Sequence, residues 1–402
     1  MKIWKPEDPL PGSDVFQDEE PYDKSWIFKD PQSEEIIQQL GFDKPTAAHL
    51  WRRWSEWAEE GGAEFDCATR DVPYLALIKG AVEFSKDAWG DDDAVWIEWM
   101  RKHGIATELQ DAIMDPTFKQ LRLTRTCEQW VLDIIDMRYD TFYNRGTKSE
   151  FGRSEDLQDT ESKHYSNTIA SGSNLALSET SGSIVLYKAV ALDRFGNTTC
   201  PLLDSEGRLS HMSHLWKQRT IVFHQGGSVI YLGTSLETAQ LHASYLRRLS
   251  NGLDTNVVIV QLPIPEIALH KTAVPVYFPS DDWKKLVWYC QTDGEDTELR
   301  DEVIRLCRAP VMVGNLTSRP KEASSDLGSW EDFTEEHVLK LDGNADGDVH
   351  YAFKHDDGED FLEDHVTDGK IIPYSKEEYL EWMEKHADPS QRSIARSQCC
   401  LQ

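Results

Sequence analysis

The sequence predicts an α/β protein, with α+β as the alternative, in which a helical region precedes a mixed sheet flanked by helices and an acidic C-terminal arm. Three observations predict this fold class. Apolar residues recur at three-to-four spacing up to residue 145, short β-branched runs alternate with helical patterns over 183–317, and acidic residues crowd the chain after 318. The predicted organisation is an extended segment over 1–24, a helical region over 25–145, a linker or mobile loop over 146–182, an α/β catalytic core over 183–317, and an acidic arm, short helix and tail over 318–402.

The composition is strongly acidic, but its charge is unevenly spread. The chain has 402 residues and a formal net charge of −29. Residues 183–275 hold eight Lys and Arg against six Asp and Glu, so the predicted core is about +2 and can contact a polyanion. The seven cysteines form no C-x-x-C pair, and neither a signal peptide nor an apolar run of about 18 residues is evident. We therefore expect a cytoplasmic protein.

Capping and breaking residues divide the helical region into short helices. Asp30-Pro31 is typical of a helix start and Gly41 of a stop. The next helix begins near Pro45, and Gly61-Gly62 would end it. Further helical patterns run over 72–87, 92–103, 107–122 and 125–143.

Strand and helix patterns alternate in the predicted core. Ser235 caps a helix over 236–249, and a second helix opens at Asp281. The stretch 318–368 is predicted to be a solvated insertion or a disordered arm, and 375–387 one more helix. Strands are predicted over 184–187, 221–223, 229–232, 257–262 and 310–316, with a tight turn at Gly226-Gly227 and a stop at Pro263 and Pro265.

The strongest local cluster for chemistry is Asp281-Asp282 with Lys285, at a predicted helix start. The helix dipole and the free N–H groups of a first turn stabilise negative charge there. Two adjacent carboxylates can grip a guanidinium through charge-assisted bonds, and they can also pass protons. The same residues fit a simple helix cap followed by first-turn acids, so both interpretations stay open.

A second cluster combines Tyr187-Lys188 with Tyr231 and Ser235. A Lys at a strand end can bind phosphate or carboxylate. Hydroxyls placed before a helix N-terminus can bind an anion, or act as a nucleophile when a base is near. No base can be assigned from the residues, and an ordinary strand followed by a helix cap fits them equally well.

The sequence contains incomplete metal-binding motifs and one short lipid-attachment motif. His211, His214 and His224 fit neither zinc spacing nor one helical face. Residues 342–349 copy the start of a calcium loop, but Phe353 stands where that loop needs a bidentate Glu. We therefore predict no metal and no cofactor. The terminal Cys399-Cys400-Leu401-Gln402 satisfies a prenylation box, and no membrane contact is expected unless Cys399 is prenylated.

Several stretches that cover most of 25–316 resemble a known family. On these stretches the chain resembles the arginine-containing cyclodipeptide synthases of filamentous fungi. The stretches are Leu186-Tyr187-Lys188-Ala189-Val190, Tyr231-Leu232, residues 239–245, 259–265 and 282–288, and upstream Trp26-Ile27-Phe28, Leu40-Gly41-Phe42 and residues 115–118.

This resemblance implies an aminoacyltransferase that joins arginine from arginyl-tRNA to an amino acid from a second aminoacyl-tRNA, forming a cyclo(Arg-Xaa) diketopiperazine in secondary metabolism. The activated esters need no metal or cofactor, and no DNA partner is expected. The family signature is D-D-x-x-E, which Asp281 and Asp282 match, whereas Lys285 stands in place of Glu. The candidate catalytic residues are Asp281, Asp282, Lys285, Tyr187, Lys188 and Tyr231, and the candidate tRNA contacts are Lys217, Arg219, Arg247 and Arg248.

Two other functions stay open. The order Leu186-Tyr187-Lys188, then residues 231–235, then a helix with Ala239 and Tyr245 also resembles the ADP-ribosyltransferase fold. In that fold a His or Arg on the first strand and a Tyr or Ser on the second hold NAD; here Lys188 replaces the usual residue, and no E-x-E or Q-x-E is evident. The third function is a non-catalytic interaction protein, with or without a prenyl anchor.

Overall fold

Helices form the N-terminal layer of the protein. The computed structural model describes residues 32–59, 73–83, 86–151, 182–192, 201–216, 222–223, 229–292, 297–321, 327–341 and 347–388. The helices up to residue 151 are α1 (Glu34–Leu40), α2 (Lys44–Glu59), α3 (Pro73–Lys79), α4 (Asp93–Lys102), α5 (Thr107–Ile113), α6 (Lys119–Arg122) and α7 (Cys127–Phe151). Thus α7 runs past residue 146, where the sequence predicts a linker.

Local capping sets the ends of α1. The Ser33 hydroxyl accepts from the Ile36 N–H at 3.2 Å, and Gly41 ends the helix with a left-handed φ of 119°. A side chain at residue 41 would be strained at that φ and would meet Leu109 at 2.3 Å. The predicted stop at Gly41 is confirmed, whereas Asp30-Pro31 and Gly61-Gly62 lie outside the described residues.

The single helix predicted over 107–122 is wrong. α5 ends at Ile113, Asp115 caps a 3-10 turn over Pro116–Phe118, and α6 follows. Pro116 explains the break, because proline lacks an N–H and disfavours a helical conformation of the residue before it.

The remaining elements confirm the predicted α/β class. Ser235 caps α8 as predicted, since its hydroxyl accepts from the Thr238 N–H at 3.1 Å. The elements are β1 (Ser183–Ala191), β2 (Val229–Gly233), α8 (Leu236–Leu249), β3 (Val257–Pro265), α9 (Glu266–Thr272), β4 (Val274–Val276), α10 (Asp281–Gln291), α11 (Thr297–Cys307), β5 (Val311–Asn315), β6 (Val349–Lys354), α12 (His355–His365), β7 (Lys370–Pro373) and α13 (Lys376–His386).

The seven strands form one mixed sheet in the order β4-β5-β6-β2-β1-β3-β7. β4 and β5 are parallel, and the other neighbours are antiparallel. β1 pairs with β3 along its whole length, from Ser183 opposite Pro265 to Ala191 opposite Val257. By contrast, β1 and β2 share the single pair Tyr187–Gly233, so the sheet is divided between them.

Two strand predictions need correction. β3 continues through Pro263 to Pro265 instead of stopping. β7 pairs only with residues 258–261, so the rest of β3 has no strand on that side. Pro263 and Pro265 lack a backbone N–H, but no hydrogen bond is lost, because there is no neighbouring strand to accept it. The described residues of the strand predicted over 221–223, Val222 and Phe223, lie in a bend, and the turn at Gly226-Gly227 lies outside the described residues.

The prediction of a solvated or disordered arm over 318–368 is wrong in both halves: Phe333, Leu339 and Leu341 are buried in the main core, and the second half contains a strand of the sheet. β6 lies inside the sheet, between β5 and β2, and α12 follows it directly. The acidic residues that suggested a solvated arm include Asp356 and Asp357, which lie exposed in the first turn of α12, while β6 itself is buried. The helix predicted over 375–387 is confirmed as α13, with Ser375 and Glu378 forming a capping box.

Alternate strand residues face two separate cores. Tyr187 and Tyr231 face the helical layer, whereas Leu186 and Ile230 face the opposite side. Residues 201–216, α9 and α12 supply apolar side chains to that second core. The sheet is therefore covered on both faces, and polar groups near its centre must find partners within the protein.

Arg138 of α7 ties the helical layer to the rest of the protein. Its side chain is 1% exposed, and its guanidinium donates to the Leu249 carbonyl at 2.7 and 3.0 Å and to the Gln39 carbonyl at 3.1 Å. It also pairs with Glu108 at 3.2 Å. One side chain thus joins α7 to α5 and to the C-terminal ends of α8 and α1.

We predict that Arg138→Met lowers the free energy of unfolding by about 3 kcal/mol, because two carbonyls and a carboxylate lose their donor. Urea denaturation measures the change. Arg305→Met is the matched control, since its side chain is 80% exposed and its removal should change stability by under about 0.5 kcal/mol. Equal stabilities of the two variants would contradict the role of Arg138.

A candidate ligand-binding cavity at the divided sheet

A cavity of about 410 Å³ lies where the helical layer meets the division between β1 and β2. Its walls come from α7, α8, β1, β2 and the segment that follows β5. The volume is within the range of about 300–1,000 Å³ that is typical of small-molecule sites. The cavity is therefore the candidate functional site.

Gly233 opens the sheet wall of this cavity. In the strand register, Gly233 of β2 lies between Tyr187 of β1 and His350 of β6. A Cβ at residue 233 would lie 3.2 Å from His350 Nε2, so any larger residue would press on the imidazole. Because glycine leaves this space open, Tyr187 and His350 both form part of the cavity wall.

The tyrosines Tyr187 and Tyr231 stay protonated at neutral pH. Burial, and then the charge of Glu237, raises the pKa of Tyr187. Burial raises the pKa of Tyr231 more strongly, and its hydroxyl oxygen accepts from the Phe223 N–H at 3.2 Å. Both phenols can therefore donate a hydrogen bond to a ligand, but neither supplies a phenolate nucleophile.

Lys188 lines the cavity, and its ammonium has partners in the backbone. Its ammonium lies on the face of Leu186 and Val190, where it donates to the carbonyls of Leu215 at 2.5 Å and Tyr231 at 3.3 Å. The Tyr231 carbonyl thus accepts from a side chain at the point where the sheet is divided. The side chains of Tyr187 and Lys188 thus leave β1 on opposite faces, although both residues line the cavity.

The charges around the cavity are mostly positive, in a protein whose net charge is −29. Arg125, Lys188, Arg319 and Lys321 are lining residues, and Asp133 is the one carboxylate among the lining residues that the structure describes. Asp133 pairs with Arg125, whose guanidinium carbon lies 4.8 Å from the Trp130 ring centroid. This balance of charge favours an anionic ligand.

Arg319 also contacts a histidine beside the cavity. Its Nη1 lies 3.1 Å from His337 Nε2. Burial, and then the Arg319 charge, lowers the pKa of His337, so the imidazole is neutral at pH 7. The positive charge at this point therefore belongs to Arg319.

The acidic pair Asp281-Asp282 does not line the cavity. Both residues are exposed in the first turn of α10, which Ser280 caps by accepting from the Trp283 N–H at 3.2 Å. Asp282 lies 3.9 Å from Arg305, and Lys285 donates to Glu302 at 2.6 Å. The structure thus separates these three residues from Tyr187 and Tyr231, and their surroundings are those of a helix cap.

The arginines expected to touch tRNA are held inside the fold. Arg248 is 2% exposed and pairs with Asp115 at 3.0 Å. Arg247 donates to the carbonyls of Tyr374 and Thr255 at 2.8 and 2.7 Å. Both side chains fasten α8 to its neighbours, which corrects their assignment as surface contacts; Lys217 and Arg219 lie outside the described residues.

The described residues were searched for a metal site and for a membrane-spanning helix. Among them, no group of three or more His, Cys, Asp and Glu side chains is placed to hold a metal ion. Most of the calcium-like stretch lies outside the described ranges, and Asp348 accepts from the Thr238 hydroxyl at 2.8 Å. Within the same ranges, no helix has the length and apolar character needed to cross a bilayer. The described part of the protein also excludes Cys399 and the side chains of His214 and His224.

Several cavity residues were not predicted from the sequence. They include His242, His350, Arg125, Asp133 and Arg319. One usable signal was the polar run after the last predicted strand, because segments that follow strands often carry binding residues. The others follow no local pattern, since they come from separate elements that meet only in the folded chain.

Comparison with family models, curated proteins and solved structures finds no match to this chain. The fold and the cavity therefore carry the functional argument.

We predict that Lys188→Met lowers the free energy of unfolding by about 1–3 kcal/mol, because it removes the ammonium donor from two carbonyls. The control is Lys271→Met on the exposed face of α9, which should have almost no effect. Thermal and urea denaturation of both variants measure the difference. Wild-type stability of Lys188→Met would mean that these carbonyls do not depend on the ammonium.

Proposed function

We propose that the protein is an ADP-ribosyltransferase-like enzyme that takes NAD as its substrate, bound in the cavity at the divided sheet. The observation that carries the proposal is that Tyr187 and Tyr231, from neighbouring strands, both line a cavity whose charged side chains are mostly cationic. The same tyrosines are candidate residues of the cyclodipeptide synthase, but the two acids on which that function depends do not line the cavity.

The chemistry of NAD fits the groups that line the cavity. The pyrophosphate of NAD is an anion, and Arg319 and Lys321 provide positive charge for it. Ser235 and Thr238 line the cavity at the N-terminus of α8, where backbone N–H groups and the helix dipole also favour an anion. The protonated tyrosines offer hydrogen-bond donors and ring faces to the nicotinamide.

The proposed chemistry departs from the family pattern on the first strand. Lys188 lines the cavity, but its ammonium is held by two backbone carbonyls, so we do not assign it the role of the His or Arg that holds NAD in that fold. Positive charge develops on the ribose as the nicotinamide bond breaks, and a nearby carboxylate stabilises it. Asp133 lines the cavity and is the carboxylate that we propose for this role.

The cyclodipeptide synthase function is the second candidate. The positive lining that suits a pyrophosphate would also suit the phosphates at the end of a tRNA. Its proposed acids, Asp281 and Asp282, lie outside the cavity, which favours the NAD proposal. Products decide between the two functions, because one releases nicotinamide and the other a diketopiperazine.

Titration calorimetry with NAD tests the proposed function, and we expect saturable binding to the purified protein. Arg319→Gln should weaken binding about 10–100-fold, since a charge-assisted bond to phosphate contributes about 1.5–3 kcal/mol. Arg305→Gln, an exposed arginine beside α10, should bind NAD as the wild type does. Chromatography of the same mixtures should detect nicotinamide release from the wild type.

Absence of both NAD binding and nicotinamide release would overturn the proposal. Culture medium from a heterologous host should be analysed in parallel by mass spectrometry for an arginine-containing diketopiperazine. Its presence would favour the second candidate, and the double variant Asp281→Asn, Asp282→Asn then tests the acids directly. A wild-type yield of diketopiperazine from that variant would show that Asp281 and Asp282 act only at the start of the helix.

A further inference from the structure

The hydroxyl of Thr238 is bonded to a buried carboxylate beside the cavity. Thr238 lies in the first turn of α8, is buried, and is one of the residues that line the cavity. Its hydroxyl donates to Asp348 Oδ1 at 2.8 Å, and Asp348 is itself 2% exposed. Because a threonine hydroxyl has one proton and two lone pairs, this bond uses the one proton that Thr238 Oγ1 can donate.

Backbone contacts hold Asp348 in the orientation that receives this proton. Its Oδ2 accepts from the Leu341 N–H at 2.5 Å, and its own N–H donates to the Leu339 carbonyl at 2.9 Å. Each carboxylate oxygen therefore faces a donor, and a rotation of the Asp348 side chain would break both bonds. The fold thus fixes the direction of the Thr238 hydroxyl before any ligand binds.

The neighbouring hydroxyl of Ser235 has the same direction. Ser235 also lines the cavity, and its hydroxyl donates to a Glu237 carboxylate oxygen at 3.1 Å while it accepts from the Thr238 N–H at 3.1 Å. Both hydroxyls at this end of the cavity thus give their protons to carboxylates. Toward a ligand they present lone pairs, so the charged side chains that donate to a pyrophosphate are Arg319 and Lys321.

We propose that Thr238, oriented by Asp348, selects a ligand that brings a neutral hydrogen-bond donor to this end of the cavity. A cationic donor is disfavoured by the mostly positive lining. The inference rests on the proposed function for its substrate, because NAD carries two kinds of neutral donor, the carboxamide N–H groups of nicotinamide and the ribose hydroxyls. Thr238 is thus a specificity-determining residue, and Asp348 is a positioning residue.

The hydrogen bond between ligand and Thr238 gives a basis for discrimination. An analogue that lacks the donor leaves a lone pair of Thr238 Oγ1 without its ligand partner, in a cavity from which water is partly excluded. A site built to bond a donor therefore binds such an analogue more weakly. The preference depends on the direction of one hydroxyl, which a side chain with a merely structural role would not affect.

Two kinds of matched analogue test the proposal on the full chain. In the acetylpyridine analogue of NAD, a methyl group replaces the carboxamide nitrogen without a change of charge. In fluorinated analogues, a fluorine replaces one ribose hydroxyl. Titration calorimetry should show that one kind binds the wild type about tenfold more weakly than NAD does, and that kind identifies the donor. Equal affinities of NAD and all these analogues would overturn the proposal.

Substitutions of Thr238 separate its hydroxyl from its packing. Thr238→Val keeps the shape of the side chain but removes the oxygen, so NAD should bind about tenfold more weakly and the preference over the affected analogue should disappear. Thr238→Ser keeps the hydroxyl and should keep the preference. Thr292→Val, the same change at the end of α10 and away from the lining residues, should bind both ligands as the wild type does. A preference that survives in Thr238→Val would contradict the assignment.

Asp348→Asn tests the direction of the bond. The Asn oxygen can accept from the Leu341 N–H while its nitrogen donates to Thr238 Oγ1, so the Thr238 proton becomes available to the cavity. We expect this variant to lose the preference for NAD although Thr238 is unchanged, and thermal denaturation checks that it folds. An unchanged preference in the folded variant would overturn the positioning role of Asp348.

The same titrations distinguish failure of this inference from failure of the proposed function. NAD binding to the wild type without a preference over any analogue would overturn the role of Thr238 and leave the proposed function standing. No binding of NAD to the wild type would overturn the proposed function and, with it, the donor groups named here.

Discussion

A single backbone pair joins β1 to β2, and the organisation of the candidate site depends on that division. On one side β1, β3 and β7 form a continuous ladder, and on the other β2, β6, β5 and β4 form a second one. The space between them is closed on the helical side by α7 and α8. On the opposite side Lys188 donates to the Tyr231 carbonyl, which is a side-chain substitute for strand pairing.

Features that depend on neighbouring residues were predictable from the sequence, and features that depend on tertiary contacts were not. α8 begins at the predicted cap because Ser235 and the apolar spacing act within a few residues. β6 was missed because its short buried run is surrounded by acids, and its place between two strands is set by distant parts of the chain. Asp281 and Asp282 illustrate the same limit, since a cap and a site have the same local pattern and only the fold shows where the helix start lies.

Negative charge lies on the surface of the protein and positive charge lies in the cavity, and the two have different effects. Exposed acids such as Asp356 and Asp357 contribute to a net charge that keeps molecules apart. Arg125, Arg319 and Lys321 lie within the cavity, where partial exclusion of water strengthens their attraction for an anion. Buried cations elsewhere have structural partners, as Arg248 does in Asp115 and Lys354 does in the carbonyls at the end of α11.

The prolines at the end of β3 have a consequence for the behaviour of the protein at high concentration. β7 leaves residues 262–265 of β3 without a strand on their outer side, and Pro263 and Pro265 fall in this stretch. An uncovered strand edge can recruit a strand from another molecule and begin aggregation. Two residues that lack an N–H prevent a continuous ladder from forming there, so the sheet is protected from intermolecular growth at this edge.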